Sequence, residues 1–253
     1  MTLEEILKQI RPLNKEAMES AGKRWDSIAK PLHSLGKMED LVIQIAGIQE
    51  TPDISVKKRA LVSMCADNGV VEEGVTQTGQ EVTAIVAENF LSGDTSACVM
   101  CRQCGTDVFP VDVGMVVNTK VPTDLKVAMG TKNMTKEPAM TREEAIKGLE
   151  AGIEMVRRLK EKGYTLLATG EMGIGNTTTS SAVASVLLNE PVEKMTGRGA
   201  GLSSEGLNRK IAAIEKAVEV NKPDPSDAID VLAKVGGFDI AGMAGVFLGG
   251  AAL

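Results

Sequence analysis

The sequence predicts an α/β fold: a doubly wound, mostly parallel sheet of Rossmann-like, three-layer type with a small helical N-terminal part. Three observations carry this expectation. Three unbroken apolar runs, "RALVSMCAD", "TDVFPVDVG" and "YTLLATGEMG", each end in an acid and a glycine within a few residues. Parallel strands buried on both faces read this way, with a loop at each carboxyl end. Helical patterns stand between the runs, which makes βαβ units with right-handed crossovers. No internal repeat or low-complexity linker appears, and 253 residues suffice for one large α/β domain or one and a half ordinary ones.

In chain order, residues 1–58 read as a helical arm and small subdomain, and 59–253 as the parallel α/β domain. The arm is helical over about 2–22, turns at Pro31 and Gly36, and re-enters a helix through Gln49. After the first strand, "EVTAIVAENFLSGDTSACVMCRQCG" reads as a helix, a break at Gly93 and a second helix ending at Gly105. Residues 115–140 are a long polar connection carrying Lys120, Lys126, Lys132 and Lys136, read as a solvated surface loop with a lid as the alternative. A capping box at Thr141 and Glu144 opens a helix that closes on Gly163. Another helix starts from Ser203 or Ser204. The tail "FDIAGMAGVFLGGAAL" is short, contains Asp239 and is rich in small residues, so it reads as a buried helix packed closely on the sheet rather than a membrane span.

Composition narrows the function. Aromatic residues are only 2%, which disfavours single-strand nucleic-acid binding by stacking, and the net charge of −6 comes with no basic block. Neither nucleic acid nor membrane is expected as a partner. The charged N-terminus lacks a signal-peptide core, so a cytoplasmic protein is expected. Cys98, Cys101 and Cys104 have a spacing that also occurs at iron–sulfur sites, but with no fourth ligand nearby they read as buried packing. No metal and no cofactor are expected. His33 is the sole histidine, so acid–base work falls to carboxylates.

Two glycine loops carry the candidate chemistry. In "TGEMGIGNTTTSS" the glycines allow close backbone approach to a ligand, Asn176 with Thr177 to Thr179 can cap the following helix, and free N–H groups at its start favour an anion. The second loop, "TGRGAGLSSEG", is followed by Arg209 and Lys210, one of which reads as a solvated helix face. Together the loops point to phosphate binding. Glu171 stands where a phosphate loop carries a lysine; an acid there suits ribose hydroxyls or positive charge at an anomeric carbon, a helix-capping role being the alternative. Asp67 and Asp112 occupy equivalent strand-end positions, and at least one is expected to fix a loop through backbone N–H groups.

The motifs "GEMGIGNTTTSSAV", "GRGAGL…GLNRKI", "VGGFDIAGMAG", "PLHSLGKMEDL" and "ADNGVVEEGV" together resemble the nicotinate-nucleotide–dimethylbenzimidazole phosphoribosyltransferase family, from about residue 25 onward. The resemblance implies transfer of phosphoribose from nicotinate mononucleotide to a benzimidazole nitrogen with inversion, in cobalamin nucleotide-loop assembly, by a homodimer. By motif position it implies Glu171 as a substrate-loop acid, with Gly173, Gly175, Asn176 and Thr177 contacting the nucleotide. Gly199, Gly201 and Lys210 fall on the phosphate side, and Asp67 joins the substrate-binding set. The segment "EEGVTQTGQEVTAIV" matches the base-pocket lining; the family can show Ser-Pro at Thr78-Gly79 and Gln at Val86, which leaves the preferred base open. The family's general base is a glutamate in a C-terminal glycine-rich segment, whereas the sequence ends at Leu253. The expectation is therefore a fragment or a chain needing a partner, with impaired turnover alone. The alternative readings are a module that binds nicotinate mononucleotide without turnover and an iron–sulfur protein.

Overall fold

The computed structural model describes residues 1–253. Three parallel strands, β1 (Arg59–Ala66), β2 (Thr106–Gly114) and β3 (Leu166–Met172), form one sheet in the order β2-β1-β3. All three fall on the apolar runs. The chain leaves β1 to build β2 on one side and returns to build β3 on the other, so the order reverses at β1. In open α/β sheets the crevice beyond the carboxyl ends at such a reversal is where ligands bind.

The helices are α1 (Leu3–Leu7), α2 (Lys15–Asp26), α3 (Lys37–Gln49), α4 (Glu81–Ser92), α5 (Ser96–Gln103), α6 (Arg142–Glu161), α7 (Asn176–Leu188), α8 (Val192–Met195), α9 (Ser204–Asn221), α10 (Ala228–Val235) and α11 (Phe238–Ala252), with a short 3₁₀ turn over Gly69–Glu73. The two faces of β1 separate the layers, because successive strand side chains point opposite ways. Ala60, Val62, Met64 and Ala66 join the main core with residues of α6 and α11, whereas Cys65 packs with Ala87 of α4. Helices therefore cover both faces, as a doubly wound sheet requires. Thr141 and Glu144 form the expected capping box, and Ser203 caps α9 by accepting from the Gly206 N–H.

Three expectations change. The single N-terminal helix is broken into α1 and α2, with Pro12 in the gap; a proline has no N–H to continue a helix and disfavours helical backbone before it. Leu3 and Ile6 of α1 are buried in the main core, and the Leu3 N–H donates to Glu150 of α6. The 115–140 connection is not a solvated loop. Met115, Val121, Met134, Ala139 and Met140 are buried, and Met134 and Ala139 fill a second core with α7, α9 and α10. Lys126, one of the lysines that suggested solvation, reaches in to pair with the buried Asp112 at 3.1 Å.

The small residues of α11 serve helix-on-helix packing more than helix-on-sheet packing. A Cβ at Gly152 of α6 would overlap the Gly242 carbonyl oxygen and stand 2.7 Å from the Val246 nitrogen, while Gly242 itself abuts Met64 of β1. The two helices thus meet backbone to backbone, and α6 cannot accommodate even a methyl group there. Gly152→Ala is expected to destabilise the protein by about 3 kcal/mol in urea unfolding; a variant as stable as wild type would show that the helices are free to separate.

Candidate active site

The carboxyl ends of β1 and β3 lie side by side, with Met64 paired to Glu171 and Cys65 to Met172. The first glycine loop leaves β3 here and enters α7. Gly175, at φ +95°, is the N-cap, and no side chain caps the helix. A Cβ at Gly175 would stand 3.1 Å from the Cβ of Asn68 in the loop after β1, so a left-handed, unobstructed residue is needed at this crossing. The N–H groups of Gly175 and Thr177 have no acceptor within the protein.

The hydroxyl-rich run does not cap the helix as expected. Thr179 and Ser181 donate back to the carbonyls of Asn176 and Thr177, and Asn176 turns its side-chain amide onto Glu171 instead. Glu171 is thereby held at the strand end by one hydrogen bond, neither capping α7 nor facing a cation. Burial pushes its carboxyl above the usual range, with the Asn176 amide pulling the other way.

The second glycine loop is tied to the first through Lys210. This lysine is 1% exposed, and its Nζ donates to Thr177 Oγ1 at 2.8 Å and to the Gly197 carbonyl at 3.2 Å. Gly199, at φ +55°, lies against both: a Cβ there would stand 2.9 Å from Thr177 Oγ1 and 3.6 Å from the ammonium. No carboxylate pairs with Lys210, and burial lowers its affinity for the proton. Arg209 is the solvated neighbour, exposed and paired with Glu205. Their spacing alone left the two cations undistinguished; in the structure they stand about 100° apart around α9.

The segment after β1 closes the crevice. Gln77 donates to the Gly201 carbonyl at 2.7 Å, Gln80 to the Asn68 carbonyl at 3.1 Å, and Thr83 of α4 accepts from the Ile174 N–H at 3.1 Å. Thr78 is exposed beside these contacts, and Val86 is half-buried one turn further along α4. Asp67 and Asp112 both fix loops: Asp67 accepts from the Val116 N–H, and Asp112 from those of Gly114 and Met115. Asp67 is fully buried, and burial raises its carboxyl above the usual range. His33 is an exposed turn residue at φ 57°. Cys98, Cys101 and Cys104 run from buried to exposed along one flank of α5.

Sequence reasoning gave no role to Asn68 or Asp239 and held Thr83 only within the base-pocket segment; all three are fully buried where the loops after β1 and β3 meet. Asn68 and Asp239 stood inside quoted motifs, but only as spacing within "ADNG" and "GFDIAG".

A parallel sheet with two glycine loops clamped by a buried lysine suits the binding of a sugar phosphate. The family model that matches residues 10–253 is described as a phosphoribosyltransferase. Nicotinate-nucleotide–dimethylbenzimidazole phosphoribosyltransferases of Ruminiclostridium cellulolyticum and Clostridium acetobutylicum are 54% and 50% identical to it; the matches cover 100% and 99% of this chain and 72% of each relative. A crystal structure of the enzyme of that name from Thermus thermophilus superposes with a TM-score of 0.85 at 37% identity, over 94% of this chain and 71% of that one. The chain belongs to the nicotinate-nucleotide–dimethylbenzimidazole phosphoribosyltransferase family.

Because Lys210 binds its proton more weakly in the folded protein than in the unfolded chain, its contribution to stability is best above the unfolded pKa and worsens as pH falls through the folded one. The unliganded protein bears that cost wherever the ammonium is charged. Lys210→Met is expected to stabilise the unliganded protein by about 1 kcal/mol at pH 7. A lower urea midpoint would mean that the bonds to Thr177 and Gly197 outweigh the desolvation of the charge.

Proposed function

We propose that this chain transfers the phosphoribosyl group of nicotinate mononucleotide to dimethylbenzimidazole or a related base, yielding α-ribazole phosphate and nicotinate in cobalamin nucleotide-loop assembly. The observation that carries the reading is Lys210, a buried ammonium bonded to two neutral oxygens and to no carboxylate. A buried charge is ordinarily paired, and the partner supplied here is the phosphate of the nucleotide. The free N–H groups of Gly175 and Thr177 complete its cradle, with Gly173, Asn176, Gly199 and Gly201 forming the walls.

With phosphate on the Lys210 side, Glu171 faces the sugar. In the reaction the bond from the anomeric carbon to the nicotinate nitrogen breaks, its electron pair staying with nicotinate, while a lone pair of the incoming base forms the new bond and the proton on the base's other ring nitrogen is released to solvent. Positive charge develops on the ribose, and a fixed carboxylate stabilises it. Thr78 and Val86 flank the base, with Asp67 behind the loop that carries Asn68. The relatives' names favour this enzyme over a module that only binds the nucleotide. The proposal extends to a homodimer in the cytoplasm. Leu32, Leu35, Met38 and Leu41, all exposed around the start of α3, supply an apolar surface for the dimer, and no helix is long and apolar enough to cross a membrane.

Calorimetric titration with nicotinate mononucleotide tests the placement. Lys210→Met is expected to weaken binding by at least about thirtyfold, roughly 2 kcal/mol, and Glu171→Gln to keep it within about tenfold, roughly 1.4 kcal/mol. Wild-type affinity in Lys210→Met would remove the phosphate assignment. Markedly tighter binding in Glu171→Gln would place the acid against phosphate rather than sugar.

A further inference from the structure

Asp239 is the second residue of α11, fully buried behind the first glycine loop, and neither of its carboxyl oxygens meets a donor at hydrogen-bonding geometry. The side chain facing it is Asn68, from the loop after β1. Two glycines fix their relation. A Cβ at Gly237 would overlap Asp239 Oδ1 and stand 2.6 Å from Asn68 Oδ1; one at Gly173 would stand 3.2 Å from both Asp239 Oδ2 and Asn68 Nδ2. The carboxyl and the amide therefore lie side by side between the two glycines. One pairing is nitrogen against oxygen. The other is oxygen against oxygen, and Asn68 Oδ1 is itself buried without a donor.

Turning the amide over only exchanges the pairings, since an amide offers one oxygen and a carboxylate two. An ionised Asp239 always leaves oxygen facing oxygen, a costly state for buried acceptors. A proton on the carboxyl resolves it, because the acid donates to the amide oxygen while accepting from the amide nitrogen. Two bonds then join groups that otherwise meet no donor.

The charges around the carboxyl agree. Burial raises it most and Glu171, on β3, adds a like charge; the backbone N–H groups of Ile240 and Asp239 and the Asn68 amide favour the ionised form, and the balance pushes Asp239 up to about 7. Glu171 is the charged side chain that faces it. Glu171 needs its negative charge for the sugar, and a second carboxylate charge behind it would weaken the field at the phosphate cradle.

We propose that Asp239 is a positioning residue of the site: held as a neutral acid, it bonds Asn68 edge to edge, locks the loop after β1 against the first glycine loop, and leaves Glu171 as the single carboxylate charge toward the sugar. This rests on the reading of Glu171 as the sugar-facing acid. The residues it would lock already touch, since Asn68 Nδ2 lies 3.5 Å from the Ile174 carbonyl and Gly175 packs on Asn68.

Carboxyl carbon-13 NMR of the unliganded full chain, titrated with pH, reads the state of Asp239 directly. The expected midpoint is near 7, falling by about one unit in Glu171→Gln as the like charge is removed. A midpoint in the ordinary range near 4, or one indifferent to Glu171→Gln, overturns the proposal. Affinity for nicotinate mononucleotide tests the positioning role. Asp239→Ala is expected to lose about tenfold, and Asp239→Asn to recover most of that loss, because two facing amides also form both bonds. Failure of Asn to recover it overturns the role. The titration needs no ligand, so a wild-type protein that ignores nicotinate mononucleotide would sink the functional reading while the Asp239 result stood.

Discussion

A lysine ammonium removed from water without an anion beside it is the constraint around which the rest of the site is arranged. Lys210 has a threonine hydroxyl and one carbonyl for company, and neutral acceptors offset only part of the hydration it gives up. The arrangement persists because the same bonds join the two glycine loops, Thr177 belonging to the first and Gly197 to the second. Remove the cation and the crevice loses its clamp as well as its charge. Supply a phosphate, and the unfavourable state of the empty site becomes binding energy.

That arrangement explains the acid that first looked misplaced. In the proposed placement Glu171 does not oppose the phosphate, because the partners assigned to the phosphate are the lysine on α9 and the N–H groups at the start of α7. Glu171 sits at the other end of the loop, at the tip of β3, held by Asn176. Strand pairing sets the distance between the two: β3 lies in register beside β1, and the loops that leave them cross at Gly175 and Asn68. The backbone contact of α6 with α11 steadies the sheet from one face and presents Asp239 to the back of that crossing. Packing far from the ligand thus reaches the site through a few close glycine contacts.

Much of this was legible in the sequence. The three strands showed because their apolar runs carry no polar alternation, even though β3, at the edge of the sheet, holds no fully buried residue, and the capped helices showed because Thr141, Glu144 and Ser203 are local signals. What stayed hidden depended on tertiary partners. Arg209 and Lys210 are adjacent in sequence and equally charged, and only the fold decides which one faces Thr177. The lysines of 115–140 suggested water, yet Asp112 draws Lys126 inward and Met134 and Ala139 anchor the segment in a second core. Asp239 counted in the sequence only against a membrane span, since nothing local announces that an asparagine far back in the chain will meet it. The hydroxyls of the first loop followed a real capping preference, overridden because Gly175 takes the cap position.

The protonation of Lys210 itself tests the central claim most directly. With lysine side-chain nitrogens labelled, its pKa is read by NMR in the unliganded protein and again with ribose 5-phosphate at saturation. The account predicts a value below that of an ordinary lysine when the site is empty and a rise to or above the ordinary value, about 10.4, when phosphate arrives. A pKa that does not move on saturation would show that Lys210 is a structural clamp alone and that the phosphate binds elsewhere.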